Sequence, residues 1–154
     1  KVAYVGDANN VARSLLNACV KLGMPFAIAA PKGYQFDEGF IESAHSASGS
    51  RHATIAITTD PATAVADAEV VYTDVWTSMG QEAEAKEREK IFAPYQLNGN
   101  LLKYAKEDAL VMHCLPAHRG LEITDEVIDG PNSVVFDQAE NRLHAQKAIM
   151  ALVL

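Results

Sequence analysis

The chain has little cysteine, little positive charge and no long apolar run, and each shortage removes a class of function. Cys19 and Cys114 are its two cysteines; they form no Cys-x-x-Cys pair and have no spacing that suits a metal site. Cys19 is expected on the buried face of a helix and Cys114 in a turn, so no disulfide between them is expected and a reducing compartment fits. Lys and Arg number 13 against 20 Asp and Glu, for a net charge of −7, and no basic stripe appears. A nucleic-acid partner is thereby excluded, since phosphate binding needs clustered cations. There is no signal-peptide pattern and no uninterrupted apolar stretch able to span a bilayer, so no membrane partner is expected and a cytoplasmic location is. Internal repeats, low-complexity tracts and linkers are missing too. What is present is 154 residues, 49% of them apolar, enough for one compact domain with a sizeable core. Lys1 leads straight into a strand and the chain ends in apolar "IMALVL", which suggests a piece excised from a longer protein.

The pattern alternates strand and helix. "KVAYV" reads as a first strand, followed by Val11, Leu15, Leu16, Cys19 and Leu22 on one helical face that stops at Gly23. "PFAIAA" is a second strand, "DEGFIESAHSA" a helix closed by Gly49, and "ATIAIT" a third strand. "DPATAVADA" is a short helix with Pro61 at its start, and "EVVYTDV" a fourth strand. In the polar helical stretch "GQEAEAKEREKIFAPYQ", Glu82 with Lys86 and Glu84 with Arg88 stand four apart, as on a solvated face. "NLLKYA" gives another helix, "ALVMHC" a fifth strand, "EVIDG" a helical turn, "SVVF" a sixth strand, and a last helix starts near Gln138. Strands apolar throughout, alternating with helices, predict an α/β fold: a three-layer, doubly wound, mostly parallel, Rossmann-like sheet covered on both faces.

In such sheets ligands bind at the carboxyl ends of the strands. Four segments stand there: "GDANN" at 6–10, "TDVWTSMG" at 73–80, "HCLPAHRG" at 113–120 and "DQAENR" at 137–142. The first lacks the glycines of Gly-x-Gly-x-x-Gly after Gly6, so the backbone cannot approach a pyrophosphate and no dinucleotide cofactor is expected. Of Asn9 and Asn10, one is expected to cap the helix, leaving the other amide to meet a carboxylate or an amine. Asp74 either accepts a hydrogen bond from a ligand ammonium or closes its own turn, in a loop that Gly80 lets move. Cys114 lies where a strand ends, and Pro116 is expected to restrict Leu115 to extended conformations. Arg142, on the first turns of the last helix, is either a surface ion-pair partner or a fork for a carbonyl or phosphate oxygen.

Together, Asp74 with "SMG" at 78–80, "HCLP" at 113–116 and "ENR" at 140–142 resemble the ornithine-binding half of the aspartate/ornithine carbamoyltransferase family. The resemblance covers essentially the whole chain, including "PKGY" at 31–34 and "GQE" at 80–82. It implies transfer of the carbamoyl group of carbamoyl phosphate to the side-chain amine of L-ornithine, giving L-citrulline and phosphate, within arginine metabolism. By the same resemblance Asn10, Ser78 and the backbone at Met79 grip the amino-acid end of ornithine and Asp74 holds its α-amino group. Cys114 and the backbone at Leu115 flank the attacking amine and the carbamoyl phosphate, and Arg142 reaches the carbamoyl group. Cys114, Asp74 and Arg142 are thus the expected catalytic residues, with no metal and no cofactor. His118 and Arg119 follow "HCLP" in a stretch to which no role is given.

No run resembles the family's Ser-Thr-Arg-Thr phosphate loop or its His-Pro-Thr-Gln segment. The resemblance therefore implies that residues 1–154 are a single ornithine-binding domain, inactive alone, of a two-domain enzyme whose carbamoyl phosphate domain is absent. A homotrimer is expected for the complete enzyme. Fold alone leaves open a non-catalytic amino-acid- or nucleotide-binding domain, and "SMG" favours ornithine over another amine acceptor without deciding it.

Overall fold

The computed structural model describes residues 1–49, 53–77, 80 and 82–154. Each of the apolar runs up to the fifth becomes a four-residue strand: β1 (Val2–Val5), β2 (Phe26–Ala29), β3 (Ile55–Thr58), β4 (Val70–Thr73) and β5 (Leu110–His113). All pair in parallel in the order β3-β2-β1-β4-β5, with Val2 beside both Phe26 and Val70. Side chains alternate across a strand, so Ala3, Val5, Val71 and Val111 enter one core and Val2, Tyr4, Phe26, Ile28 and Tyr72 the other. Two cores on one sheet give the three expected layers, and all strands are parallel. Among the described residues no helix is long and apolar enough to cross a membrane.

Helix α1 (Asn10–Leu22) packs Ala12, Leu16, Cys19 and Val20 into the second core, while Leu22, expected on the buried face, is exposed. Gly23, at φ +71, ends it and donates to Cys19 and Val20 carbonyls, a conformation that an L side chain resists. Helix α2 (Glu38–Ala47) is capped by Asp37, and the short α3 (Pro61–Val65) by Asp60. The polar stretch forms a 3₁₀ turn, then α4 (Ala85–Phe92) and a second 3₁₀ turn at 93–95. Single turns α5 (Gly99–Leu102) and α6 (Asp125–Ile128) follow, before the long α7 (Val135–Val153).

Two further expectations are corrected in the fold. "SVVF" is no strand: Ser133 makes a single bridge to Val111, Val134 donates to the Val111 carbonyl, and the chain turns helical at Val135, three residues before Gln138. Arg88 is not solvated on a helical face. It is 3% exposed, and α4 turns it inward.

The chain builds β1, β2 and β3 outward in one direction, then returns past β1 to start β4. The connections leaving β1 and β4 therefore diverge and open a crevice at their carboxyl ends. Gly6, at φ +139, turns the chain out of β1 there, and a Cβ on it would meet the Asp74 carbonyl and the Thr73 hydroxyl at 3.9 Å.

Candidate functional site

The crevice holds a cavity of about 650 Å³. Its lining includes Asn10, from the start of α1, Asp74 and Trp76, which follow β4, and Leu115, His118 and Glu122, which follow β5. Asn9 and Asn10 divide their labour as one of the two sequence readings has it. Asn9 caps α1, its side-chain oxygen accepting from Val11 N at 3.0 Å and Ala12 N at 3.1 Å, and its amide donates to Asp74 Oδ2 at 2.9 Å. Asn10 is exposed to the cavity.

Asp74 is 5% exposed. Its Oδ1 accepts from Val75 N at 2.8 Å and from the Cys114 thiol at 2.9 Å. A carboxylate offers about four acceptor positions, so with Asn9 included three are filled and one is left for a donor from the cavity. Asp74 both closes its own turn and keeps the capacity to hold an ammonium. Cys114 is half-buried behind it and does not line the cavity. Burial first, then the hydrogen bond and charge of Asp74, push the Cys114 thiol up to about 12. At neutral pH the thiol is therefore a neutral donor to Asp74.

The turn after β5 departs from expectation. Leu115 adopts φ +53, left-handed rather than extended, and the Leu115–Pro116 peptide is cis. A left-handed L residue costs about 1–2 kcal/mol, so the surroundings must hold it. His113 Nδ1 accepts from Leu115 N at 2.9 Å, and His113 Nε2 lies 3.1 Å from Glu122 Oε1, which also accepts from His118 N at 2.6 Å. His113 and Glu122 are both fully buried.

Asp74, His113 and Cys114 place potential ligand atoms within 4.8 Å of one another. Both ring nitrogens of His113 are engaged, one by Leu115 N and the other by Glu122, whereas a metal takes a free imidazole nitrogen. The trio does not fit a metal ion.

Arg88, outside the cavity lining, is a buried cation that its helical spacing concealed. Its guanidinium pairs with Asp7 after β1, donates to the Trp76 carbonyl at 2.6 Å after β4, and packs 4.8 Å from the Tyr34 ring centre. It thus ties together two of the loops that flank the cavity. Burial pushes the Asp7 carboxyl up, and the hydrogen bond and charge of Arg88 offset this only in part. Asp7 stood among the strand-end residues; the signal for Arg88 was a cation in the first turn of a helix that follows such a loop.

Arg142 lies exposed on α7, outside the cavity lining and without a partner among the described residues. One turn before it Gln138 accepts from His113 N at 3.2 Å and donates to the Tyr72 hydroxyl at 2.9 Å, so the face that carries Arg142 starts at the end of β5. Ser78 and Met79 lie outside the described residues, as does the side chain of Glu82. Arg119 bonds Asp125 at 2.8 Å and Asp129 at 2.5 Å on the surface.

The profile of the family described as aspartate/ornithine carbamoyltransferase, Asp/Orn binding domain, matches residues 1–153. An anabolic ornithine carbamoyltransferase of Pyrococcus furiosus is 60% identical over 154 residues, all of this chain and 49% of its own length. The solved ornithine carbamoyltransferase from Pyrococcus furiosus superposes with a TM-score of 0.92 over 99% of this chain and 49% of its own. The anabolic enzyme from Campylobacter jejuni, 36% identical, gives 0.93 over 99% of this chain and 50% of its own. The chain spans about half the length of the curated relatives it matches.

Proposed function

The chain belongs to the aspartate/ornithine carbamoyltransferase family, of whose Asp/Orn binding domain it is an example, and from that premise we propose that it forms the L-ornithine site of an ornithine carbamoyltransferase. In this reading a second domain, outside these 154 residues, binds the phosphate of carbamoyl phosphate. The observation that carries the proposal is the convergence of Asn10, Asp74 and Leu115 on one cavity, with Cys114 hydrogen-bonded behind Asp74.

An aliphatic amine of pKa near about 10.4 is protonated at neutral pH and attacks only after losing a proton. The remaining acceptor position of Asp74 takes the α-ammonium of ornithine, and Asn10 meets its carboxylate end, with Ser78 and Met79 completing the grip. That places the side-chain amine toward the turn of Cys114 and Leu115. The amine nitrogen forms a bond to the carbamoyl carbon, the carbon–oxygen bond to phosphate breaks, the electron pair leaves with the phosphate, and the departing phosphate oxygen takes the proton that the attacking nitrogen gives up. Arg142 supplies charge to the carbamoyl oxygen as it becomes anionic. The protein's contribution is position and charge, with neither metal nor cofactor.

A biosynthetic role in arginine metabolism accords with the word anabolic in the name of the Pyrococcus furiosus relative. A cytoplasmic homotrimer completes the proposal for the whole enzyme.

The test is a citrulline colour assay on the complete two-domain protein, given carbamoyl phosphate with ornithine, putrescine, acetylornithine or aspartate in turn. Turnover with ornithine alone is the expected result. Turnover with another acceptor would retain the chemistry and overturn the substrate, and none with any acceptor would leave a binding domain. Asp74→Asn is expected to raise the KM for ornithine far more than that for carbamoyl phosphate; equal changes would remove Asp74 from the ornithine site.

A further inference from the structure

The proposed reaction leaves one buried polar pair unused. His113 and Glu122 are fully buried, yet they lie directly against the turn that forms one wall of the cavity. A buried histidine and carboxylate need a reason, because desolvation opposes both unless each is well bonded. Part of that reason is visible in which atoms they bond. The ring of His113 closes on Leu115 N, two residues ahead, as an aspartate or asparagine side chain does in an Asx turn. Nδ1 accepts there and therefore carries no proton, so the ring proton belongs on Nε2. Nε2 faces Glu122 Oε1, an acceptor whose position is fixed by a second donor, His118 N.

We propose that His113 and Glu122 are positioning residues for the turn of Cys114 and Leu115: Glu122 selects the Nε2–H tautomer, and the bare Nδ1 fixes the Leu115 N–H. The N–H and C=O of a peptide unit point in opposite directions. Holding the Leu115 N–H toward His113 thus also turns the Cys114 carbonyl away from the ring, and it sustains the left-handed Leu115 that lines the cavity. The backbone beside the reacting amine is aimed by a tautomer. This inference rests on the carbamoyltransferase reading.

Two substitutions separate positioning from packing. His113→Asn puts an amide oxygen near the place of Nδ1, keeping the acceptor for Leu115 N–H while losing the contact with Glu122. His113→Gln reaches the place of Nε2, keeping a donor to Glu122 while withdrawing the acceptor. In the complete enzyme kcat with ornithine is expected to fall on the order of tenfold to a hundredfold in His113→Gln and by less than about threefold in His113→Asn. The KM for ornithine should move less than kcat, since Asn10 and Asp74 are untouched. Equal losses of kcat in the two variants would overturn the proposal. ¹⁵N NMR of the histidine-labelled, unaltered protein gives a readout that does not depend on whether the variants fold: a proton on Nε2 of His113 supports the proposal, and one on Nδ1 overturns it. Absence of transfer by the unaltered enzyme would instead overturn the functional reading, and the NMR result would still decide the tautomer.

Discussion

At the Asp74–Cys114 contact one carboxylate serves three neighbours, and burial together with that carboxylate takes the thiol's usual reactivity away. Cys114 is half-exposed, but its pKa is pushed up to about 12, so its thiolate is scarce at neutral pH. Asp74→Asn removes the negative charge that opposes ionisation, lowering the thiol pKa. Each unit recovered gives about tenfold more thiolate, so alkylation by iodoacetamide near pH 8.5 is expected to quicken by about tenfold or more. Cys19, fully buried, should stay silent in both proteins. An unchanged rate would mean that burial alone holds the thiol. Asp74, Asn10 and Cys114 were legible in the sequence because polar residues after apolar strands mark the ligand edge of an α/β sheet. The conformation of Leu115 was not, because the rule for residues before proline is local, whereas the bond that fixes this turn comes from a histidine ring whose tautomer is set by Glu122.

Arg88 binds one element to two others, carrying α4 onto the loops after β1 and β4. Arg88→Met keeps most of the packing of the stem but leaves Asp7 and the Trp76 carbonyl without their partner, at a cost of about 2–3 kcal/mol in urea unfolding. Arg88→Lys should recover little, because a single ammonium cannot serve a carboxylate and a carbonyl in the plane a guanidinium offers. Full recovery by lysine would show that charge alone matters there. The same residue shows where sequence reasoning stops at this scale. Glu84 four residues before Arg88 fits an exposed helical pair, yet Asp7, 81 positions away, takes the guanidinium. The strands were readable because each is a mainly apolar run, and "SVVF" was misread for that reason: a short β-branched run does not say whether it continues extended or, as Val135 does, opens a helix.

Across the whole molecule, three of the ionisable groups with raised pKa values, Tyr4, Tyr72 and Cys114, meet at one place. Burial raises Tyr4 and Tyr72 above the ordinary phenol value, with Asp74 and Cys114 adding to both, and Cys114 is raised as described. In the unfolded chain the thiol ionises near about 8.5 and the phenols near about 10. Above those values the native fold holds more protons than the unfolded chain, so stability falls as pH rises. The expectation is full stability below about pH 8.5 and a falling urea midpoint from there to about pH 10.5, with a shallower fall in Cys114→Ala. A midpoint independent of pH over that range would contradict the shifts.

The cavity is assembled from segments far apart along the chain. Asn9 reaches Asp74 across 65 positions, and Asp74 reaches Cys114 across 40. Such long-range contacts form late in folding, since the loops between them must be closed before the contacts repay that entropy. Among the described residues no single βα unit supplies Asn10, Asp74 and Leu115 together. While the polypeptide is being synthesised or refolded, the carboxylate, the amide and the thiol are separate ordinary groups, and they become one hydrogen-bonded cluster only after β4 docks beside β1 and β5 beside β4.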